Sequence, residues 1–210
     1  MAELNEQLKQ ALSELRKDKA RKFDQSVDLI INLQKFDVKK NQLNFFVSVP
    51  HKIKNKKICG FLEIKNDNVD TITKSEFKKY STKQEVKKLA GKYDFFIAQS
   101  SLMPIVATTF GRALGPTGKM PSPQLGILVN VDDKIIKELI ERINTSVKIK
   151  IKEASVKVQI GKQSMKDEEL IENIITVYNA VLKAMTKGKE NIKNIELKFT
   201  MTKPQKIKLK

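Results

Sequence analysis

The chain has 210 residues, 40% of them hydrophobic, enough for one medium domain or two small ones with modest cores. Its net charge of +17 bears on partners rather than fold: a protein this basic meets a polyanion, and phosphate contacts supply most of the affinity in such complexes. No apolar run approaches the roughly 18 residues that span a bilayer, the opening MAELNEQLKQALSEL is charged and amphipathic unlike a signal peptide, and one cysteine excludes an internal disulfide or a multi-cysteine zinc site.

Leu4, Leu8, Leu12 and Leu15 recur at helical spacing and predict a helix over 3–18. Val27, Leu29, Ile31 and Leu33 alternate as on a strand. FDVKKN reads as a charged turn, and LNFFVSVP as a second strand ending at Pro50, since proline cannot donate to a ladder. These two strands are expected to pair as a long hairpin. The character then changes. KKICGFLEI is an apolar strand, residues 74–91 are helical, YDFFIAQ is a strand, LMPIVATTFGRALG a helix, GILVNV a strand and DDKIIKELIERI a helix with acids at its start. Strands alternating with helices argue for a small α/β unit with a mostly parallel sheet. From about Thr145 the pattern turns strictly alternating (VKIKIKEASVKVQIG), as in half-buried antiparallel strands. DEELIENIITVYNAVLKAM is a strong helix with acids in its first turn, and NIELKFTM is a last strand before the basic KPQKIKLK.

The fold class expected is therefore two-domain α/β. An outer α+β domain, 1–52 with 145–210, has an antiparallel sheet and two helices; an α/β domain, 53–144, is inserted into it. The outer pieces carry 25 basic and 14 acidic residues, net +11, and the inner segment 16 and 10, net +6, so the outer domain is the more basic.

The segment GRALGPTGKMPSPQLG, 111–126, holds four of the eight glycines and three of the six prolines. A phosphate-cradling loop needs Gly, four residues, Gly-Lys and then Ser or Thr. Here Ala113 stands at the first position and Met120 follows Lys119, so the match fails. The remaining reading is a rigid surface loop on which Arg112 and Lys119 make secondary contacts to RNA or tRNA. His51 is the single histidine and has no partner for a metal site, Cys59 reads as a small buried hydrophobe, and no nucleophile–base arrangement stands out. No cofactor is expected, and no enzyme. HKIKNKK, 51–57, is either a solvated flank or an RNA contact, and the lysines of the tail either hang free or touch phosphate.

LGPTGKMPSP closely resembles the signature L-G-P-x-G-x-M-P-x-P of the ribosomal protein L-one family, with Leu114, Gly115, Pro116, Gly118, Met120, Pro121 and Pro123 matching. RKFDQSVDLIINL, SVPHKI, VQIGKQSM with the following IENI, and KFTM resemble further blocks of that family in the same order. The short N-terminus and acid-capped helices look archaeal. The resemblance implies an α+β domain built from both termini, an inserted Rossmann-like domain, and two short connections, near Lys52–Asn55 and Asn144–Ser146, that act as a hinge. It implies binding to the large-subunit rRNA stalk, assistance in releasing deacylated tRNA from the exit site, repression of the protein's own mRNA, and a cytoplasmic protein, monomeric when free of the ribosome.

By resemblance, three blocks carry the RNA surface. In Lys22, Phe23, Gln25 and Ser26 the lysine reaches a phosphate, Phe23 stacks on RNA or lies in the core, and Gln25, where the family usually has Glu, keeps a ribose hydrogen bond. In Gly161, Lys162, Gln163, Ser164 and Met165 the glycine allows close backbone approach, and Ser164 donates to RNA, caps the next helix, or both. In Thr200, Met201 and Thr202 the last residue replaces the family's glycine, which puts that close approach in doubt. Two rivals are a generic basic nucleic-acid binder and a nucleotide-using enzyme.

Overall fold

The computed structural model describes residues 2–19, 21–37, 43–80, 82–151 and 153–207. Most of the expected FDVKKN turn and the last three residues of the basic tail lie outside them. The elements begin with α1 (Ala2–Arg16), β1 (Ser26–Leu33) and β2 (Asn44–Ser48). The middle holds β3 (Ile58–Phe61), β4 (Asp70–Ile72), α2 (Lys83–Lys92), β5 (Phe95–Gln99), α3 (Met103–Thr117), β6 (Ile127–Leu128) and α4 (Asp133–Thr145). The chain continues with β7 (Ser146–Lys150), β8 (Ser155–Lys162), α5 (Asp167–Ala184), β9 (Ile192–Phe199) and β10 (Gln205–Ile207). Two compact units result: Met1–Lys54 with Thr145–Lys210, and Asn55–Asn144.

In the first unit an antiparallel sheet runs in the order β10-β9-β1-β8. Period two decides which side is buried: Val27, Leu29, Ile31 and Leu33 of β1 point inward, as do Ile195, Leu197 and Phe199 of β9. They share one core with Leu8, Leu12 and Leu15 of α1 and with Leu170, Ile174, Val177 and Val181 of α5. Each such side chain contributes about 1.5–3 kcal/mol by leaving water. The expected hairpin of β1 with β2 does not form. β1 is a central strand whose two edges are taken by β8 and β9, and β2 pairs with β7 in a separate two-stranded sheet. The long connection between β1 and β2 imposes no register, so burial of the apolar face chooses the partners instead.

β8 carries a bulge. Val27 lies opposite Gly161 and Asp28 opposite Gln159, which leaves Ile160 without an opposite residue. The Ile160 carbonyl accepts a hydrogen bond from Nδ2 of the fully buried Asn173 (3.0 Å). The same Nδ2 donates to the His51 carbonyl (3.1 Å), and Oδ1 accepts from the His51 N–H (3.0 Å). One amide on α5 thus satisfies the bulge and the chain just past β2.

In the second unit the sheet is parallel, order β4-β3-β5-β6. All four residues of β3 are buried, and so are Phe96, Ile97 and Ala98 of β5, as expected of a sheet covered on both faces. Phe61, Phe77, Phe96 and Phe110 cluster at one face with Val86 and Leu89 of α2 and Val106 of α3. Cys59 is buried there; desolvation, helped by the Asp70 charge and opposed by Lys92, pushes its thiol up to about 12.

Two sequence expectations change here. The helix over 74–91 is a 3-10 segment, Lys74–Tyr80, followed by α2, because Thr82 opens a new helix with a reciprocal capping box to Glu85. The surface loop of 111–126 begins as helix: α3 continues through Pro116 and stops at Gly118, whose φ of 71° lets its N–H reach the Gly115 carbonyl and the Lys119 N–H that of Leu114. No helix among the described residues is long and apolar enough to cross a membrane.

Candidate nucleic-acid interface

Because β1 runs antiparallel to β8 and β9, its beginning lies beside the ends of both. Three segments distant in sequence, 22–26, 161–165 and 200–202, therefore meet at one end of the sheet. The Thr200 N–H donates to the Ser26 carbonyl (3.1 Å), and the Ser26 N–H to Thr200 Oγ1 (3.0 Å). The Gln163 N–H donates to the Gln25 carbonyl (2.8 Å).

Beneath this edge lies Gln25, 1% exposed. Its amide donates to Gln163 Oε1 (3.2 Å) and accepts from the Met201 N–H (3.0 Å), tying all three segments together. The ribose contact expected of Gln25 does not fit this burial. Its side chain falls in phase with Val27, Leu29 and Ile31 and so faces the interior.

Ser164 also departs from expectation. Lys166 stands at the N-cap position of α5 and no side chain caps it there. Ser164 lies two residues too early, and its N–H and Oγ donate to the Asp24 carboxylate at 3.1 and 2.9 Å, with Lys162 Nζ 3.5 Å from the same group. Desolvation alone would push Asp24 up, but the Ser164 donors and the Lys162 charge outweigh it and hold the carboxyl below the ordinary aspartate value. The folded pKa is depressed, so the stabilisation is complete above the ordinary value and is lost as pH falls through the lower folded one. Carboxyl titration by NMR should place the Asp24 midpoint below that of Asp28, which desolvation raises against the Lys198 charge. The reverse order would remove the Asp24–Ser164 contact from solution.

Gly161 is buried rather than open to a ligand. A Cβ there would fall on Leu170 Cδ2 and within 2.9 Å of Met165 Sδ, so packing under the start of α5 demands the glycine. A third tie was not foreseen. The Arg16 guanidinium at the end of α1 donates to the carbonyls of Gln163 (3.0 Å) and Met165 (2.9 Å) and to Asp167 Oδ1 (2.8 and 2.6 Å).

Above these ties, Phe23 is 53% and Met201 58% exposed, which settles Phe23 as a surface residue. Lys22 and Ser164 are exposed beside them and Lys162 partly so. Cations, a hydroxyl and two apolar side chains on a braced edge suit recognition rather than bond-making. Among the described residues no cluster of three or more His, Cys, Asp or Glu is placed to hold a metal.

A family model described as the ribosomal protein L1p/L10e family matches residues 15–203. The chain belongs to this family. It is 39% identical to the large ribosomal subunit protein uL1 of Thermofilum pendens, over 97% of this chain and 92% of that protein. It is 37% identical to uL1 of Pyrobaculum arsenaticum (92% and 89%) and 33% identical to that of Pyrococcus abyssi (90% of each).

Thr202, which departs from the family's Thr-Met-Gly, fits its place. The turn from Phe199 to Thr202 is closed by the Thr202 N–H on the Phe199 carbonyl (3.2 Å), and Thr202 Oγ1 accepts the Phe199 N–H (2.9 Å). Among the described residues only Lys35 is a non-glycine with positive φ, so the Thr202 backbone needs no glycine. In the second unit, Arg112 is exposed on α3. Lys119 is not available as expected: its ammonium donates to the carbonyls of Ala90 (2.7 Å) and Tyr93 (2.8 Å), neutralising the carboxyl end of α2.

Proposed function

We propose that the braced sheet end of the first unit binds large-subunit rRNA at the mobile stalk, and that the protein is a non-enzymatic component of the large ribosomal subunit. The supporting observation is the convergence of Lys22, Phe23, Lys162, Ser164, Thr200 and Met201 on one edge whose backbone is held from below by Gln25 and Arg16. Folded RNA is read through shape, 2′-hydroxyls and phosphates, which call for donors and cations at fixed positions. On this reading the stalk carries the protein as it moves, deacylated tRNA is released from the exit site with its help, and its own mRNA is a second target that it represses. The second unit, inserted through two short connections, is a second arm with Arg112 as a secondary contact. The partners are stalk rRNA, exit-site tRNA, its own mRNA and neighbouring ribosomal components; free of the ribosome the protein is a cytoplasmic monomer.

The test is filter binding of a stalk rRNA transcript against an unrelated RNA of equal length. The joint substitution Thr200→Ala and Met201→Ala should weaken stalk binding by about 1–3 kcal/mol, roughly 5- to 150-fold, with stability lowered only by the roughly 1 kcal/mol that the Ser26 N–H to Thr200 Oγ1 bond contributes. Unaltered affinity removes both residues from the surface. Equal binding of both RNAs by the wild type favours a generic nucleic-acid binder, and a melting shift with ATP or NAD but no RNA binding favours a nucleotide-using enzyme.

A further inference from the structure

We infer that Arg16 is a positioning residue for the RNA surface, holding the loop between β8 and α5 in its binding-competent shape without touching RNA itself. The inference rests on the RNA-binding reading above. Arg16 lies at the surface, yet Nε, Nη1 and Nη2 all donate to the protein's own groups: one carbonyl on either side of Ser164 and the carboxylate of Asp167 take their hydrogen bonds. A guanidinium so engaged has most of its donors occupied and its charge met at 2.6 Å by an acid, so it has little left for a phosphate.

What it fixes is the segment on which the surface depends. Gln163 is bonded to Gln25 on one side and its carbonyl to Arg16 on the other. Ser164, between the two clamped carbonyls, has its N–H and hydroxyl on Asp24, and Lys162 precedes them at the end of β8. The clamp comes from α1, 147 residues away in sequence from Gln163 and 151 from Asp167, so it joins the beginning of the chain to the loop at the surface. The planar fork matters as much as the charge. An ammonium is a point donor and cannot span two carbonyls and a carboxylate in fixed geometry. A loop left loose by even an ångström loses most of the benefit of a prearranged surface.

The experiment uses the full chain with Arg16→Met, Arg16→Lys and Lys22→Met, the stalk rRNA transcript as probe, and affinity measured across a salt series. Arg16→Met should weaken binding roughly tenfold, as loss of an outer support does, and Arg16→Lys should recover little of it. The slope of log affinity against log salt should stay at the wild-type value, whereas Lys22→Met should lower it by about one phosphate's worth. Amide exchange at Ser164 and Met165 should quicken in Arg16→Met while that of β1 stays slow. Asp167→Ala, which takes away the acceptor of two of the four hydrogen bonds without removing the cation, should give the same pattern to a smaller degree and serves in place of Arg16→Met if that variant does not fold. Three results overturn the inference: affinity unchanged, affinity lost together with a reduced salt slope, which would make Arg16 a phosphate contact, or affinity lost with the exchange of the loop unaltered. Failure of the wild type to prefer the stalk transcript would instead overturn the RNA-binding reading on which it rests.

Discussion

Replacing Asn173 with leucine is expected to destabilise the first unit by about 3–5 kcal/mol, although the two side chains branch alike and have the same number of heavy atoms. The substitution strips three backbone groups of their partner: the carbonyls of Ile160 and His51 and the His51 N–H. Each polar group left unpaired in the interior costs about 1–3 kcal/mol, and those at His51, near the surface, recover part of this from water. No cavity is left, but two methyls are bulkier than the amide oxygen and nitrogen they replace at this fully buried site, so overpacking adds to the lost hydrogen bonds. Native-state hydrogen exchange of β1 amides measures the stability of this unit separately from the inserted one. A change below about 1 kcal/mol would mean that the bulge at Ile160 finds other partners. The bulge also sets where Gly161 and Lys162 fall, so RNA affinity should decline under conditions in which the variant remains folded.

The second large effect is expected from Gly161→Ala. At an ordinary extended position, Gly→Ala leaves stability unchanged or raises it by about 0.4–1 kcal/mol through the unfolded chain. Here the added methyl meets Leu170, which is fully buried, and Met165. Met165 can turn aside, but Leu170 is enclosed by the core, so overpacking of about 1–3 kcal/mol should win. In a chain of this length that lowers Tm by roughly 2–4 °C per kcal/mol. Combining Gly161→Ala with Leu170→Val should cost less than the two singly, since the second makes room for the first. Strict additivity would show that the clash is not what the alanine introduces.

The parts of the fold set by local periodicity were legible in the sequence: the alternation of β1, β8 and β9, the apolar stripe of α5 and the strand–helix rhythm of the middle. The class also followed, an antiparallel sheet drawing strands from both ends of the chain and a parallel sheet between them. Pairing was not legible for β2, because nothing in a strand's own residues says which edge it meets when the connection is long. β4 went unnoticed, since three residues give period two nothing to repeat. At the candidate site the three segments could be named, but not which of their side chains face outward. The burial of Gln25 was available from its phase with Val27 and Leu29. The roles of Arg16, Asn173 and Gly161 were not, because each acts on residues far away in the sequence or in another element. Lys119 misled for the same reason: a lysine in a glycine- and proline-rich stretch reads as exposed until the carbonyls of α2 are seen beneath it.

The central place of β1 also governs the order in which the protein is made. β1 leaves the site of synthesis early, yet both strands that flank it, β8 and β9, belong to the last third of the chain. At roughly 5–20 residues per second it waits about 6–25 s for its first neighbour. During that interval every strand and helix of the inserted unit is translated, and that unit can close on its own contacts. The edge that gathers Phe23, Ser164 and Met201 comes into being only after residue 202 has been added, so nascent chains interrupted between the end of the inserted unit and that point carry a complete inner unit and no complete surface for RNA.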